Sequence, residues 1–152
     1  MKILKTIQTF SADETEKVGV EIAKMMLEDS LLPRFVALEG DLGVGKTVFV
    51  RGFTSVVAPT SAVRSPTFAL VNEYRNKENK RTVYHFDVYR IKDEDDLYSI
   101  GFYDYLDKGF CLVEWSENIR YAFPKSYLTV RIEKDNADNT ESRLITVFSC
   151  EA

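Results

Sequence analysis

The chain has 152 residues, 20 Lys and Arg against 24 Asp and Glu, a formal charge of −4 and 45% hydrophobic residues. That length suits one domain spanning residues 1–152, which can bury about two-thirds of its unfolded surface without a disulfide or a metal. The ordinary apolar fraction with 29% charged residues excludes a disordered or fibrous chain, apolar runs no longer than stretches such as Phe35-Val36-Ala37-Leu38 exclude a membrane-spanning helix, and the net negative charge argues against a generic nucleic-acid binder.

At the N-terminus, Ile3-Leu4 between Lys2 and Lys5 is too short for the apolar region of a signal peptide, so a cytoplasmic protein is expected. Ile3 to Thr9 is the first strand. Ser11-Ala12-Asp13-Glu14 forms a capping box ahead of a helix with Val18, Ile22, Met25 and Met26 at helical spacing. Phe35 to Leu38 is a short continuous apolar run, the mark of a strand buried on both faces. A second helix starts within Gly45-Lys46-Thr47 and runs to about Val57. Thr67–Tyr74 and Thr82–Tyr89 are two β-rich runs joined by Arg75-Asn76-Lys77-Glu78-Asn79-Lys80, a polar turn suited to an antiparallel hairpin. Asp93–Ile100 is a short helix with an acidic first turn. Phe110–Val113 is another buried strand, with Cys111 as a small hydrophobe inside it, followed by helix-like Ser116–Tyr121. Tyr127–Glu133 and Arg143–Ser149 make a second hairpin around Asp135-Asn136-Ala137-Asp138-Asn139. Helices interleaved with both buried strands and hairpins predict an α/β fold with a mixed, parallel and antiparallel, central sheet.

The strongest chemical signal is Gly40-Asp41-Leu42-Gly43-Val44-Gly45-Lys46-Thr47, which fits G-x-x-x-x-G-K-[ST]. Glycines allow backbone N–H groups to turn inward around a phosphate, Lys46 reaches the β- and γ-phosphates, and the Thr47 hydroxyl can ligate Mg²⁺. The following helix offers its N-terminus to the anion. A chance match arises in roughly one chain in two hundred of this length, and a preceding buried strand and a following helix make it rarer still. The motif therefore implies a nucleoside triphosphate site. The nearest approach to a guanine-reading Asn-Lys-x-Asp is Asn76-Lys77-Glu78-Asn79, which lacks the Asp, so ATP is favoured.

A phosphate loop of this type works with an acid at the end of a neighbouring strand. Glu114 follows Phe110-Cys111-Leu112-Val113, and Asp87 follows Val83-Tyr84-His85-Phe86, so both are candidates. Glu117, three residues after Glu114, would face the same way on a helical turn. Ser65-Pro66-Thr67-Phe68 lies where a hydroxyl-bearing switch is expected, with Thr67 toward Mg²⁺ or the γ-phosphate. His85, the single histidine, is expected to be a hydrogen-bonded structural residue, and no metal site of the His/Cys type can be assembled.

In order, the phosphate loop, Ser65-Pro66-Thr67-Phe68, His85-Phe86-Asp87-Val88-Tyr89-Arg90 and Leu112-Val113-Glu114-Trp115-Ser116-Glu117 resemble the bacterial TsaE (YjeE) family. The stretch through Gly101 and Tyr103-Asp104-Tyr105-Leu106 resembles it too, as does Glu14-Thr15 with Val18-Gly19. The resemblance implies a three-layer fold like that of P-loop NTPases and a weak ATPase needed, with TsaB and TsaD, for threonylcarbamoyladenosine formation next to the tRNA anticodon. TsaD would transfer the threonylcarbamoyl group, and tRNA would be met only indirectly. It further implies phosphate contacts for Lys46, Mg²⁺ for Thr47 and Glu114, a catalytic or water-positioning role for Asp87, and a switch at Ser65 and Thr67. Trp115 becomes a neighbour of the nucleotide, Asp13, Glu14 or Thr15 border the adenine, and Arg143 is a further contact. Two other readings of the residues stay open: a free-standing small-molecule kinase and a non-hydrolysing nucleotide-binding module.

Overall fold

Alternating side chains on a few short apolar strands bury both faces of one sheet. The computed structural model describes residues 1–66, 70–136 and 138–151. Its strands are β1 (Lys2–Thr9), β2 (Phe35–Glu39), β3 (Val71–Arg75), β4 (Thr82–Asp87), β5 (Phe110–Glu114), β6 (Ser126–Asn136) and β7 (Asn139–Glu151), in the order β1-β7-β6-β2-β5-β4-β3. β6, β2, β5 and β4 run parallel at the centre. β3 pairs antiparallel with β4, and β7 pairs antiparallel with both β6 and β1. The fold is α/β with a mixed sheet, as the interleaved pattern predicts.

The period of two sorts the core into two layers. Val36 and Leu38 of β2 and Leu112 of β5 face α1 (Ala12–Glu28) and α2 (Lys46–Val57), packing against Val18, Ile22, Phe49 and Phe53. Phe35 and Ala37 of β2 and Cys111 and Val113 of β5 face the other way. There they meet α3 (Glu94–Ser99), α4 (Phe102–Tyr105) and a 3-10 helix, Ser116–Ala122, through Leu97, Phe102 and Ile119. Phe102 sits edge-on to both Phe86 and Phe35, at ring separations of 5.1 and 6.3 Å. Fully burying each such side chain contributes about 1.5–3 kcal/mol.

Helix α1 begins where Ser11 Oγ accepts the Glu14 N–H at 3.2 Å, the first half of the capping box. It then crosses α2 at very short range. A Cβ on Gly19 would lie 2.2 Å from the Phe49 carbonyl oxygen, and one on Gly52 would lie 1.9 Å from that of Glu16. Asp93 caps α3 by accepting the Asp96 N–H at 2.9 Å.

Several boundaries differ from the sequence expectation. β4 stops at Asp87, because Val88-Tyr89-Arg90 turns away, with the Tyr89 N–H bound by Asp87 Oδ1 at 3.0 Å. β3 starts only at Val71, and Thr67 and Phe68 of the expected strand lie outside the described residues. In the last hairpin β6 continues to Asn136 and β7 begins at Asn139, so most of the expected polar loop is paired strand. The helix after Glu114 is a 3-10 helix extending to Ala122, and α4 is an element that the pattern does not announce. No helix of the described residues is long and apolar enough to cross a membrane.

Candidate nucleotide-binding site

Three neighbouring parallel strands end together. In the β2–β5 pairing Leu38 lies opposite Glu114, and in the β4–β5 pairing Glu114 lies opposite Asp87. Both carboxylates therefore stand at the carboxyl edge of the sheet, beside the loop that leaves β2. That edge is where open α/β sheets bind ligands. Both are buried despite their charge.

The loop itself is shaped by its glycines. Gly40, Gly43 and Gly45 all have positive φ, at 146, 81 and 113°, a region that residues with a Cβ rarely enter. Gly40 is also constrained by space, since a Cβ there would meet the Ile132 carbonyl oxygen at 2.5 Å. Gly45 precedes α2 without a side-chain cap, which leaves the first amides of the helix to an anion. Arg143 braces the loop from β7, its Nε donating to the Val44 carbonyl at 2.8 Å while its Nη1 donates to Thr140 and Ser142 carbonyls.

Lys46 is buried and folds back, its Nζ donating to the Gly40 carbonyl at 2.7 Å. The same ammonium lies 4.8 Å from the centre of the Trp115 ring, a cation–π contact. Trp115 is held there by a left-handed backbone (φ 60°), and its other neighbour is Tyr89, with ring centres 4.8 Å apart. Together Leu42, Lys46, Thr47, Ser65, Asp87, Glu114 and Trp115 line a cleft of about 280 Å³. Leu42 stands 83% exposed at its mouth.

His85 is fully buried two residues before Asp87, on the same face of β4. Its Nε2 lies 2.5 Å from Glu114 Oε2. A carboxylate only accepts, so Nε2 carries the proton and donates. Its Nδ1 has no hydrogen-bond partner among the described residues, an omission that costs about 1–3 kcal/mol when such an atom is buried. Sequence reasoning anticipated a hydrogen-bonded structural histidine but not its partner. The alternation that puts His85 and Asp87 on one face marks it as facing the same side as Asp87, but it does not name Glu114.

A smaller cavity of about 130 Å³ adjoins the loop, lined by Ala12, Thr15, Gly43, Val44, Gly45, Val48, Glu141 and Arg143. Thr15 and Arg143, from distant parts of the chain, are thus brought together. Thr15 is fixed by a 2.9 Å hydroxyl contact with Thr9. Glu14 does not line this cavity, and Glu117 is exposed and does not line the cleft with Asp87 and Glu114. Thr67 lies outside the described residues, so of the expected switch only Ser65 is placed on the cleft. Glu141 is a lining residue that sequence reasoning missed, because nothing in its local pattern sets it apart from other hairpin charges.

Among the described residues no three His, Cys, Asp or Glu side chains are grouped to cage a metal ion. The donors on the cleft are hard oxygens, a hydroxyl from Thr47 and carboxylates from Glu114 and Asp87. That set fits Mg²⁺, which prefers one or two carboxylates together with substrate phosphates and water.

Residues 9–144 match the family described as "Threonylcarbamoyl adenosine biosynthesis protein TsaE". The chain is 37% identical over 142 residues to the tRNA threonylcarbamoyladenosine biosynthesis protein TsaE of Bacillus subtilis (strain 168), covering 93% of this chain and 84% of that one. It is 42% identical over 128 residues to the protein of the same name from Haemophilus influenzae, covering 83% of this chain and 78% of the relative. Among solved structures it resembles the crystal structure of Bacillus subtilis YdiB, with a TM-score of 0.73 and 27% identity, over 100% of this chain and 89% of the other.

Proposed function

Since the chain belongs to the TsaE family and so has its role in tRNA threonylcarbamoyladenosine biosynthesis, we propose that it serves there as a Mg²⁺-dependent ATP-binding protein with weak ATPase activity, acting with TsaB and TsaD. Residues 1–152 work as one nucleotide-binding unit in the cytoplasm, and tRNA is met through the complex. The observation that carries this reading is the convergence of Lys46, Thr47, Asp87 and Glu114 on one cleft.

The chemistry follows from the positions of these groups. The inward-turned amides of the loop and the uncapped start of α2 receive phosphate oxygens. Lys46 exchanges its bond to the Gly40 carbonyl for one to a phosphate, where the acceptor is charged as well as the donor. Thr47 and Glu114 would hold the cation, which would supply neutralisation of the charge on the transferring phosphoryl group. Asp87, at the next strand end, orients the attacking water. The cavity bordered by Thr15, Val44 and Arg143 takes the adenine side of the nucleotide. Weak hydrolysis in isolation accords with a cleft whose mouth carries an exposed Leu42 and is left for partner proteins to close.

Phosphate release from Mg-ATP, measured on the chain alone and then with purified TsaB and TsaD, tests the reading. Slow release that rises with the partners and disappears in Lys46→Ala is expected. Fast release indifferent to the partners would point instead to a self-sufficient enzyme, such as a small-molecule kinase acting on water.

A further inference from the structure

His85 is a buried polar side chain beside the cleft that the mechanism above leaves without a task. It is 0% exposed, and one of its two nitrogens has no hydrogen-bond partner among the described residues. Packing alone would be served better there by an apolar side chain, because Val83, on the same face of β4, joins the apolar core in that way. What the imidazole does that an apolar group cannot is donate Nε2–H to Glu114 Oε2 at 2.5 Å.

That contact has a directional consequence. Glu114 ends β5, and its backbone continues into the left-handed turn at Trp115. Oε2 is tied toward the sheet by a group on β4, the strand that also carries Asp87. The carboxylate is thereby held by one oxygen, while Glu114 lines the same cleft as Lys46 and Thr47. Partners of this kind, which orient a metal-binding carboxylate without touching the metal, commonly govern affinity by about 10–100-fold.

We infer that His85 is a positioning residue for the Mg²⁺ site, holding Glu114 in its cation-binding orientation through Nε2–H. The inference rests on the Mg-ATP reading of the cleft. It does not involve a proton leaving His85.

The two amide substitutions separate this role from simple packing. A Gln side chain places its amide nitrogen near the position of Nε2, whereas Asn reaches only as far as Nδ1. The readout is fluorescence of Trp115, the single tryptophan, during ADP titrations in EDTA and then during Mg²⁺ titrations at saturating ADP. His85→Asn is expected to raise the Mg²⁺ concentration for half-response by about 10-fold or more. ADP affinity in EDTA should stay within about 2-fold of wild type, and His85→Gln should recover most of the Mg²⁺ response.

An unchanged Mg²⁺ midpoint in His85→Asn overturns the inference. So does a loss of Mg²⁺-free ADP binding in parallel with the Mg²⁺ response, since that pattern belongs to a residue that merely supports the fold. A wild-type chain that binds ADP but shows no Mg²⁺ response by fluorescence or calorimetry overturns the Mg²⁺ reading itself. A shift confined to His85→Asn leaves both standing.

Discussion

At the scale of single residues, the site places two carboxylates opposite one another in register with different neighbours. Glu114 is bound by His85, and Asp87 accepts the Tyr89 N–H. In the proposed reading neither cradles phosphate, which falls to the loop amides and Lys46. Glu114→Gln and Asp87→Asn should therefore each lower partner-stimulated phosphate release by about 10²-fold or more while nucleotide binding persists. Parallel measurement of phosphate release and ADP affinity checks this, and unaltered hydrolysis in both variants would leave a non-hydrolysing binding module. Cys111 shows the opposite use of burial. Its thiol is pushed up to about 12 by desolvation, with the Asp107 charge adding to the effect, so it is an inert core side chain. Local spacing was enough to single out Lys46, Thr47, Asp87 and Glu114, because the loop motif and the apolar-then-acid strands are contiguous in sequence. It was not enough for His85 or Glu141, whose meaning depends on a residue from another strand or on a cavity wall assembled from distant segments.

At the scale of elements, the crossing of α1 and α2 decides where the phosphate loop can sit, because α2 begins at Lys46. Gly52 lies at the centre of a 12-residue helix, where propensity alone says that alanine should stabilise by about 1 kcal/mol. A Cβ at that point would stand 1.9 Å from the Glu16 carbonyl oxygen, a backbone atom that cannot step aside. Gly52→Ala is therefore expected to destabilise the protein by about 1–3 kcal/mol, seen as a lowered urea midpoint. A raised midpoint would mean that the helices are not in contact there. The start of α1 was legible because capping by Ser11 is a four-residue event. The four-residue α4 was not, since one turn of helix has no periodicity to detect. The 3-10 form after Trp115 was equally hidden, for its i to i+3 geometry follows the left-handed turn that brings the indole to Lys46.

For the whole molecule, ligand and fold are thermodynamically linked. If Mg-ATP binds only the folded state, a concentration about 100 times its dissociation constant should add about 2.7 kcal/mol to unfolding stability. Lys46→Ala should erase most of that gain, and thermal or urea unfolding with and without Mg-ATP measures it. An undiminished gain in Lys46→Ala would sink the assignment of the phosphate loop. The gain draws on the entire sheet, because the loop is braced by β7 through Arg143, packed on β6 through Gly40 and faced by β4 and β5.

Sequence by itself determined the α/β class, the glycine-rich loop with its lysine and threonine, and the two acidic strand ends, along with the resemblance to the TsaE family. These are properties of short contiguous segments, governed by side-chain period, glycine conformational freedom and capping. Only the tertiary structure decided the strand order, with β1 at an edge beside β7 and β2 between β6 and β5. Only it brought Thr15 and Arg143 to one cavity and set His85 against Glu114. Such pairings join residues far apart in the chain, and their register depends on how both faces of the sheet are packed at once, which no single segment encodes.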